Sequence, residues 1–477
     1  MDIKSLTIAQ AKKDLQEKKY SSVELTTAYL DRIEKLNPTL NAFITVSKAE
    51  ALEQAKKADE QFSNLTIEQL SNYPLLGIPI ALKDIYSTIG IRTTAGSTVL
   101  ENYVPPFDAT VVKKLKDAGT IIIGKTNLDA WAHGSSGENS EFGPTKNPWN
   151  TAYVPGGSSS GSAVAVAADF ALAASGTDTG GSIRLPASFT NTVGLKPTYG
   201  RVSRAGIISM SSSMDTIGHF TKTVEDSALY LSVSAGQDPM DATTPDQPVP
   251  DYLKNLTKGV KGLKIGIPLE FNPFEDEPTR QANKMKMKEA LNVLSKLGAE
   301  MVEISLPHTE YAIAVYYIIQ PSEVSSNLAR FDGIRFGNDR SSFGEEAKRR
   351  IMLGTYTLSA GYYDAYYKKA MKVRTLIKKD FDEAFKKVDA IIAPVSPTPP
   401  WKLGEKNDDP LAMYLSDIYT VTANLSGNPG LAVPIGFANE LPVGMQIIGP
   451  HFSEELLFQI GHAYEQETKW FEKRPNI

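Results

Sequence analysis

Two hydrophobic periods alternate along this chain. From Ser5 to Lys19 and from Ser22 to Leu36, apolar residues recur at helical spacing, as in Val23, Leu25, Leu30 and Ile33, and each segment opens on a hydroxyl residue suited to capping. The spacing predicts two peripheral helices. Short apolar runs follow, and Ile78–Leu82, Thr120–Ile123, Leu263–Ile267, Ala390–Ala393 and Val443–Ile448 read as strands. Helical patterns at Ala109–Asp117, Ser162–Ala174, Thr279–Leu297 and Tyr362–Lys387 lie among them, so an α/β sheet covered by helices is expected. The many Tyr and Lys residues of the last segment suit a solvated face with snorkelling side chains. No repeat, low-complexity tract or Pro/Ser linker divides the 477 residues. The chain therefore reads as one unit, although length alone would suggest about three domains.

Composition narrows the function classes. Lys plus Arg number 50 against 55 Asp plus Glu, a net charge of −5 spread along the chain. Phosphate neutralisation needs a concentrated basic surface, so RNA contact is expected only through a partner. With no cysteine, disulfides, thiolate nucleophiles and cysteine-ligated metals are excluded. No segment reaches the roughly 18 apolar residues of a membrane span, and the opening MDIKSLTIAQAKKDLQEKK lacks an apolar leader core, so a cytoplasmic location is expected.

Candidate chemistry concentrates between Gly156 and Pro186, where two Gly/Ser-rich turns flank an apolar run. Glycines allow close backbone approach and aim N–H donors at a reacting group, while serines offer nucleophiles or proton carriers. Gly157-Ser-Ser-Ser-Gly161 fits the G-x-S-x-G elbow with Ser159 at its centre, but the preceding Asn150–Pro155 is too polar for the buried strand an elbow requires. A histidine base is also lacking, since His133, His219, His308, His451 and His462 each stand alone. Lys83 offers another base at the end of an apolar run. Lowering its pKa to about 7.5 costs the charged form roughly 4 kcal/mol, which burial supplies, and a lysine snorkelling from a strand end is the competing reading. Thr179-Gly180-Gly181-Ser182 reads either as a nest of N–H donors for an oxyanion or as a plain turn. Gly119–Thr126 matches the phosphate-loop pattern, but its intervening isoleucines are themselves a strand, so nucleotide binding is disfavoured.

Together, Lys83, GGSSSGSA and GTDTGGSIRLPAS resemble the amidase signature family. The resemblance implies a single amidase-type domain over residues 1–477, with a large mixed twisted sheet covered by helices on both faces and residues 1–70 packed on it as a helical segment. It implies Ser182 as nucleophile, Ser158 as bridging serine on a cis peptide, Lys83 as base, and the N–H groups of Thr179, Gly180, Gly181 and Ser182 as oxyanion hole. FDGIRFG, FGEEAKRRIMLGTY and GYYDAYYKKAMKVRTLI are similar to the tRNA-dependent amidotransferase branch of that family. That branch implies hydrolysis of glutamine to supply ammonia to a partner, the B subunit, which uses ATP and magnesium on misacylated tRNA. It also implies a small C subunit spanning both, and no cofactor in this chain. It further implies that Arg350 clamps the glutamine carboxylate and Asp417 its amino group, with Tyr316 or Tyr317 nearby. Three features depart from the branch: His133 stands where methionine is frequent, Ser160 replaces a frequent glycine, and Asp339–Ser342 marks a shortened insert. A free-standing amidase acting on small amides is the first rival, and a catalytically silent scaffold the second.

Overall fold

The computed structural model describes residues 2–4, 6–271, 278–335 and 338–477. Its strands are β1 (Phe43–Val46), β2 (Pro79–Lys83), β3 (Ile121–Thr126), β4 (Ala173–Asp178), β5 (Val193–Lys196), β6 (Thr216–Thr221), β7 (Lys264–Pro268), β8 (Glu300–Ile304), β9 (Ala390–Pro394), β10 (Gly430–Ala438) and β11 (Leu441–Ile448). They join into one 11-stranded sheet in the order β1-β3-β2-β4-β6-β5-β10-β11-β9-β7-β8. β3, β2 and β4 run parallel, as do β9, β7 and β8, and the other neighbours are antiparallel, so the sheet is mixed.

Alternation along the strands splits the core between two faces. Ile80 and Leu82 of β2 join one apolar cluster and Ala81 the other; in β10, Leu431, Val433 and Ile435 oppose Ala432. The first face packs the helices Thr110–Asp117, Val224–Ser234 and Glu454–Thr468. The second packs Ser160–Ala167 and Arg184–Thr190, and farther along Ala312–Asn327, Tyr367–Ala384 and Val421–Ser426. Central strands are buried on both faces, which explains why they read as continuous apolar runs.

All five strands expected from the sequence form, with ends displaced by at most three residues. One expected helix is wrong. Ser162–Ala174 divides into the helix Ser160–Ala167 and the start of β4, and Asp169 turns the chain between them with φ 57°. Both parts are wholly buried, so neither carries an amphipathic period that separates helix from strand. The Tyr362–Lys387 helix begins only at Tyr367. At the N-terminus Ser5 lies outside the described residues; the first helix is Ile8–Gln16, capped by Thr7, and the second runs from Ser22 to Leu40 behind a Ser21/Glu24 capping box. Gly119–Thr126 leads into β3, as expected, with Lys125 fully buried.

Two helices absent from the sequence reading carry candidate site residues. Ala312–Asn327 contains Pro321, and Glu345–Leu358 contains Gly354, both breakers in isolated helices. Here they explain each other. A Cβ on Gly354 would lie 1.9 Å from the Pro321 carbonyl oxygen, so glycine lets the two backbones touch where proline has left that helix without one N–H.

Candidate active site

Lys83 ends β2 and Asp178 ends the adjacent parallel β4, so both reach the same edge of the sheet. The turn preceding Ser160–Ala167 lies against that edge. Lys83 Nζ is buried and donates to the Oγ of Ser158, the Oγ of Ser159 and the Oγ1 of Thr177, each at 2.9 Å. Burial lowers its pKa to about 7, against the pull of Asp129, Asp178 and Asp215, which favour the charged form. The snorkelling alternative is excluded, because this lysine reaches inward to hydroxyls and not outward to water.

The two serines differ in what their protons do. Ser159 Oγ donates to the Thr177 carbonyl at 3.1 Å, so its proton is already committed and it meets Lys83 as an acceptor. The hydroxyl of Ser158 has Lys83 as its one hydrogen-bond partner among the described residues, leaving it able to donate to a neutral amine. The Gly157–Ser158 peptide is cis. Gly157 is required by crowding: a Cβ there would sit 2.0 Å from Oδ2 of buried Asp129. Asp129 in turn accepts from the N–H groups of Gly137 and Asn139, and burial raises its pKa to about 6.

Ser182 lies between β4 and the helix Arg184–Thr190, at 8% exposure in an otherwise buried segment. Its carbonyl accepts from the Ser159 N–H at 3.2 Å, tying the two Gly/Ser turns together. The N–H groups of Thr179, Gly180, Gly181 and Ser182 donate to no acceptor among the described residues, which leaves four donors on one turn. That turn is held from several sides. Thr179 Oγ1 donates to Asp215 at 2.7 Å, and Thr420 Oγ1 donates to the Gly180 carbonyl at 2.6 Å. Gly181 adopts φ 137°, and a Cβ on Gly180 would meet Tyr316 Oη at 2.7 Å. Beneath it, Asp178 and Arg184 form a buried ion pair at 2.9 Å, extended by Asn424 and Gln446. Burial opposes ionisation of Asp178, but the Arg184 guanidinium overcomes it and holds the pKa at about 2.

A cavity of about 270 Å³ is lined by His133, Ser135, Glu346, Arg350, Tyr317 and Tyr414, among others. Arg350 is buried, donates through Nε to Glu346 at 2.8 Å and through Nη1 to Gln320 at 3.0 Å, and lies over the rings of Tyr317 and Tyr414. Asp417 accepts from Ser135 Oγ at 2.6 Å, and burial raises its pKa to about 7 although Ser135 and Arg350 favour the carboxylate. Tyr316 and Tyr317 are packed edge-on at 4.9 Å and divide the work, Tyr316 against the Gly180 turn and Tyr317 against Arg350. Asp417 is tied to the Ser182 turn through Thr420, whose hydroxyl contacts the carbonyls of both Gly180 and Asp417, and Arg350 is linked to that turn through the Tyr317–Tyr316 pair.

The structure brings Lys83 and Ser158 into direct contact and links Ser182 to the same cluster through its backbone. Ser159, Thr177, Ser135, Gln320 and Glu346 were not anticipated. Thr177 lies within the GTDTGGS segment and Ser159 within the rejected elbow, so both stood in view; the others carry no local signal. Among the described residues no group of three or more acidic or histidine side chains is placed to hold a metal, and no helix is long and apolar enough to cross a membrane.

The Amidase family model matches residues 24–458. The A subunit of glutamyl-tRNA(Gln) amidotransferase from Geobacter metallireducens is 53% identical over the full length of both chains. The crystal structure of the protein of the same name from Thermotoga maritima superposes with a TM-score of 0.83 at 45% identity, covering 98% of this chain and 95% of its own. The native peptide amidase from Stenotrophomonas maltophilia gives a TM-score of 0.84 at 33% identity, with 99% of this chain and 98% of its own covered.

Proposed function

The chain belongs to the amidase family, and from that premise we propose that it is the glutamine-hydrolysing subunit of a tRNA-dependent amidotransferase. One observation carries the chemistry: a buried amine with a pKa near 7 in contact with the uncommitted hydroxyl of Ser158. In this reading neutral Lys83 takes the proton of Ser158, and Ser158 takes that of Ser182 as its oxygen attacks the glutamine carboxamide. The carbonyl oxygen becomes negative facing the N–H groups of Thr179, Gly180, Gly181 and Ser182, where a single donor is worth about 3 kcal/mol. Return of the proton to the nitrogen releases ammonia and leaves glutamate esterified to Ser182. Water then attacks by the same relay reversed and frees glutamate.

Arg350 and Asp417 hold the carboxylate and amino group of the substrate, fixing the carboxamide at the serines. Ammonia passes to the B subunit, where ATP and magnesium activate Glu-tRNA(Gln), Asp-tRNA(Asn) or both, with the C subunit completing the assembly. Full-length similarity, at about half identity, to relatives named as the A subunit of glutamyl-tRNA(Gln) amidotransferase supports this assignment over a free-standing amidase.

The test is co-expression with candidate B and C subunits. Ser182→Ala should abolish glutamine-dependent amidation of misacylated tRNA while amidation driven by added ammonium salt persists. Loss of both activities would give Ser182 a structural role. Efficient turnover of simple aliphatic amides by the isolated chain, with glutamine no better, would favour the free-standing amidase.

A further inference from the structure

His133, which belongs to the lining of the Arg350 cavity, is fully buried, yet neither ring nitrogen has a hydrogen-bond partner among the described residues. An unpaired buried polar group costs about 1–3 kcal/mol, and native structures rarely leave one without a reason. The fold does not use the ring to brace its own loop. The support there comes from the backbone, where Asn139 Nδ2 donates to the His133 carbonyl at 2.7 Å.

Its surroundings define what can satisfy it. Arg350 commits Nε to Glu346 and Nη1 to Gln320, leaving Nη2 without an acceptor among the described residues. Two residues along the chain from His133, Ser135 donates to Asp417. Arg350 thus keeps a guanidinium N–H without an acceptor among the described residues, which suits an anion. Burial, reinforced by the Arg350 charge, keeps the imidazole neutral, so it has one N–H to give and adds no second cation.

We propose that His133 is a specificity-determining residue that donates its ring N–H to the substrate α-carboxylate beside Arg350. This rests on the glutaminase reading above. An aliphatic side chain of similar size would shape the cavity but leave one carboxylate oxygen with fewer donors. The chain thereby discriminates between amides with a free α-carboxylate and those without more sharply than Arg350 alone allows.

The experiment compares wild type, His133→Met and His133→Gln in the assembled complex, measuring ammonia release from glutamine and from 4-aminobutanamide, its analogue lacking the carboxylate. His133→Met should raise the glutamine KM about tenfold, the scale of one hydrogen bond to a charged group, with kcat within about twofold and 4-aminobutanamide unaffected. His133→Gln, which keeps an N–H donor, should recover most of the loss. Since the imidazole is neutral throughout, the KM ratio should be flat from about pH 6.5 to 8.5. Equal effects on both substrates, no effect on glutamine, or a Gln variant as impaired as Met would overturn the assignment. If wild type fails to hydrolyse glutamine at all, the glutaminase reading itself falls and this assignment with it, an outcome distinct from failure of the His133 variants alone.

Discussion

Lys83 Nζ stands 2.9 Å from Ser158 Oγ, with both side chains sealed from solvent. The contact sets a pH dependence. Lys83 is charged below about pH 7 and neutral above it, so kcat for glutamine hydrolysis should rise through that range and plateau in mildly alkaline solution. Stability moves in the opposite direction to the usual lysine pair. The unfolded chain holds this proton up to about pH 10.4, so between pH 7 and 10 it binds more protons than the native state, and wild type should gain stability with rising pH relative to Lys83→Met. Denaturant titrations of both proteins at pH 6.5 and 9 check this; a constant difference would mean that Lys83 is not deprotonated in the fold.

Ser158 and Ser159 both touch Lys83, yet only Ser159 has given its proton to a carbonyl. Replacing Ser158 by alanine should lower kcat for glutamine by about 10³-fold or more, the scale of general acid–base catalysis. Ser159→Ala should cost far less, about tenfold, through a loosened Lys83. Steady-state ammonia release by the two variants distinguishes them, and equal losses would contradict the division of roles.

Asp417 titrates in the working range because it is buried. As pH falls below about 7 it becomes neutral, and in the proposed reading it then loses its hold on the substrate ammonium group. The glutamine KM should therefore rise with acidification, while the KM of glutaramic acid, which lacks the amino group, should not. Asp417→Asn should raise the glutamine KM and remove this dependence.

Asp178 and Arg184 anchor the Ser182 turn. Arg184→Leu leaves a carboxylate buried without its partner and should destabilise the protein by about 3–5 kcal/mol. Because the folded pKa of Asp178 lies below its unfolded value, its contribution is present above about pH 4 and is lost as pH falls toward 2. Urea unfolding of wild type and Arg184→Leu at pH 7 and pH 3 reads both effects.

Lys125 invites a different test. From the sequence alone its replacement by alanine should leave glutaminase activity nearly unchanged if Gly119–Thr126 is only a strand. The strand is real, but Lys125 donates to the Tyr86 carbonyl and Thr93 Oγ1 at 2.6 Å and pairs with buried Asp84 at 3.5 Å. Lys125→Ala should cost about 3 kcal/mol or more of stability by stranding Asp84, with the folded fraction keeping its specific activity. Thermal unfolding monitored beside glutaminase activity separates the two.

The sequence by itself determined the α/β class, the strands with strong apolar runs, and the chemistry-bearing turns, since these depend on local composition and on residues close together along the chain. Buried Ala/Val segments defeated it at Ser162–Ala174, because burial on all sides erases the period that tells helix from strand. Pro321 and Gly354 hid two helices whose breakers are reconciled only by packing on each other. Tertiary structure alone decided that Lys83 also meets Ser159 and Thr177, that Tyr316 serves the Gly180 turn while Tyr317 serves Arg350, and that the His133 ring is buried without a partner near Arg350. These are facts of distance and desolvation. They arise where the ends of β2 and β4 bring remote segments to one edge, and no local pattern encodes the dielectric that a side chain meets there.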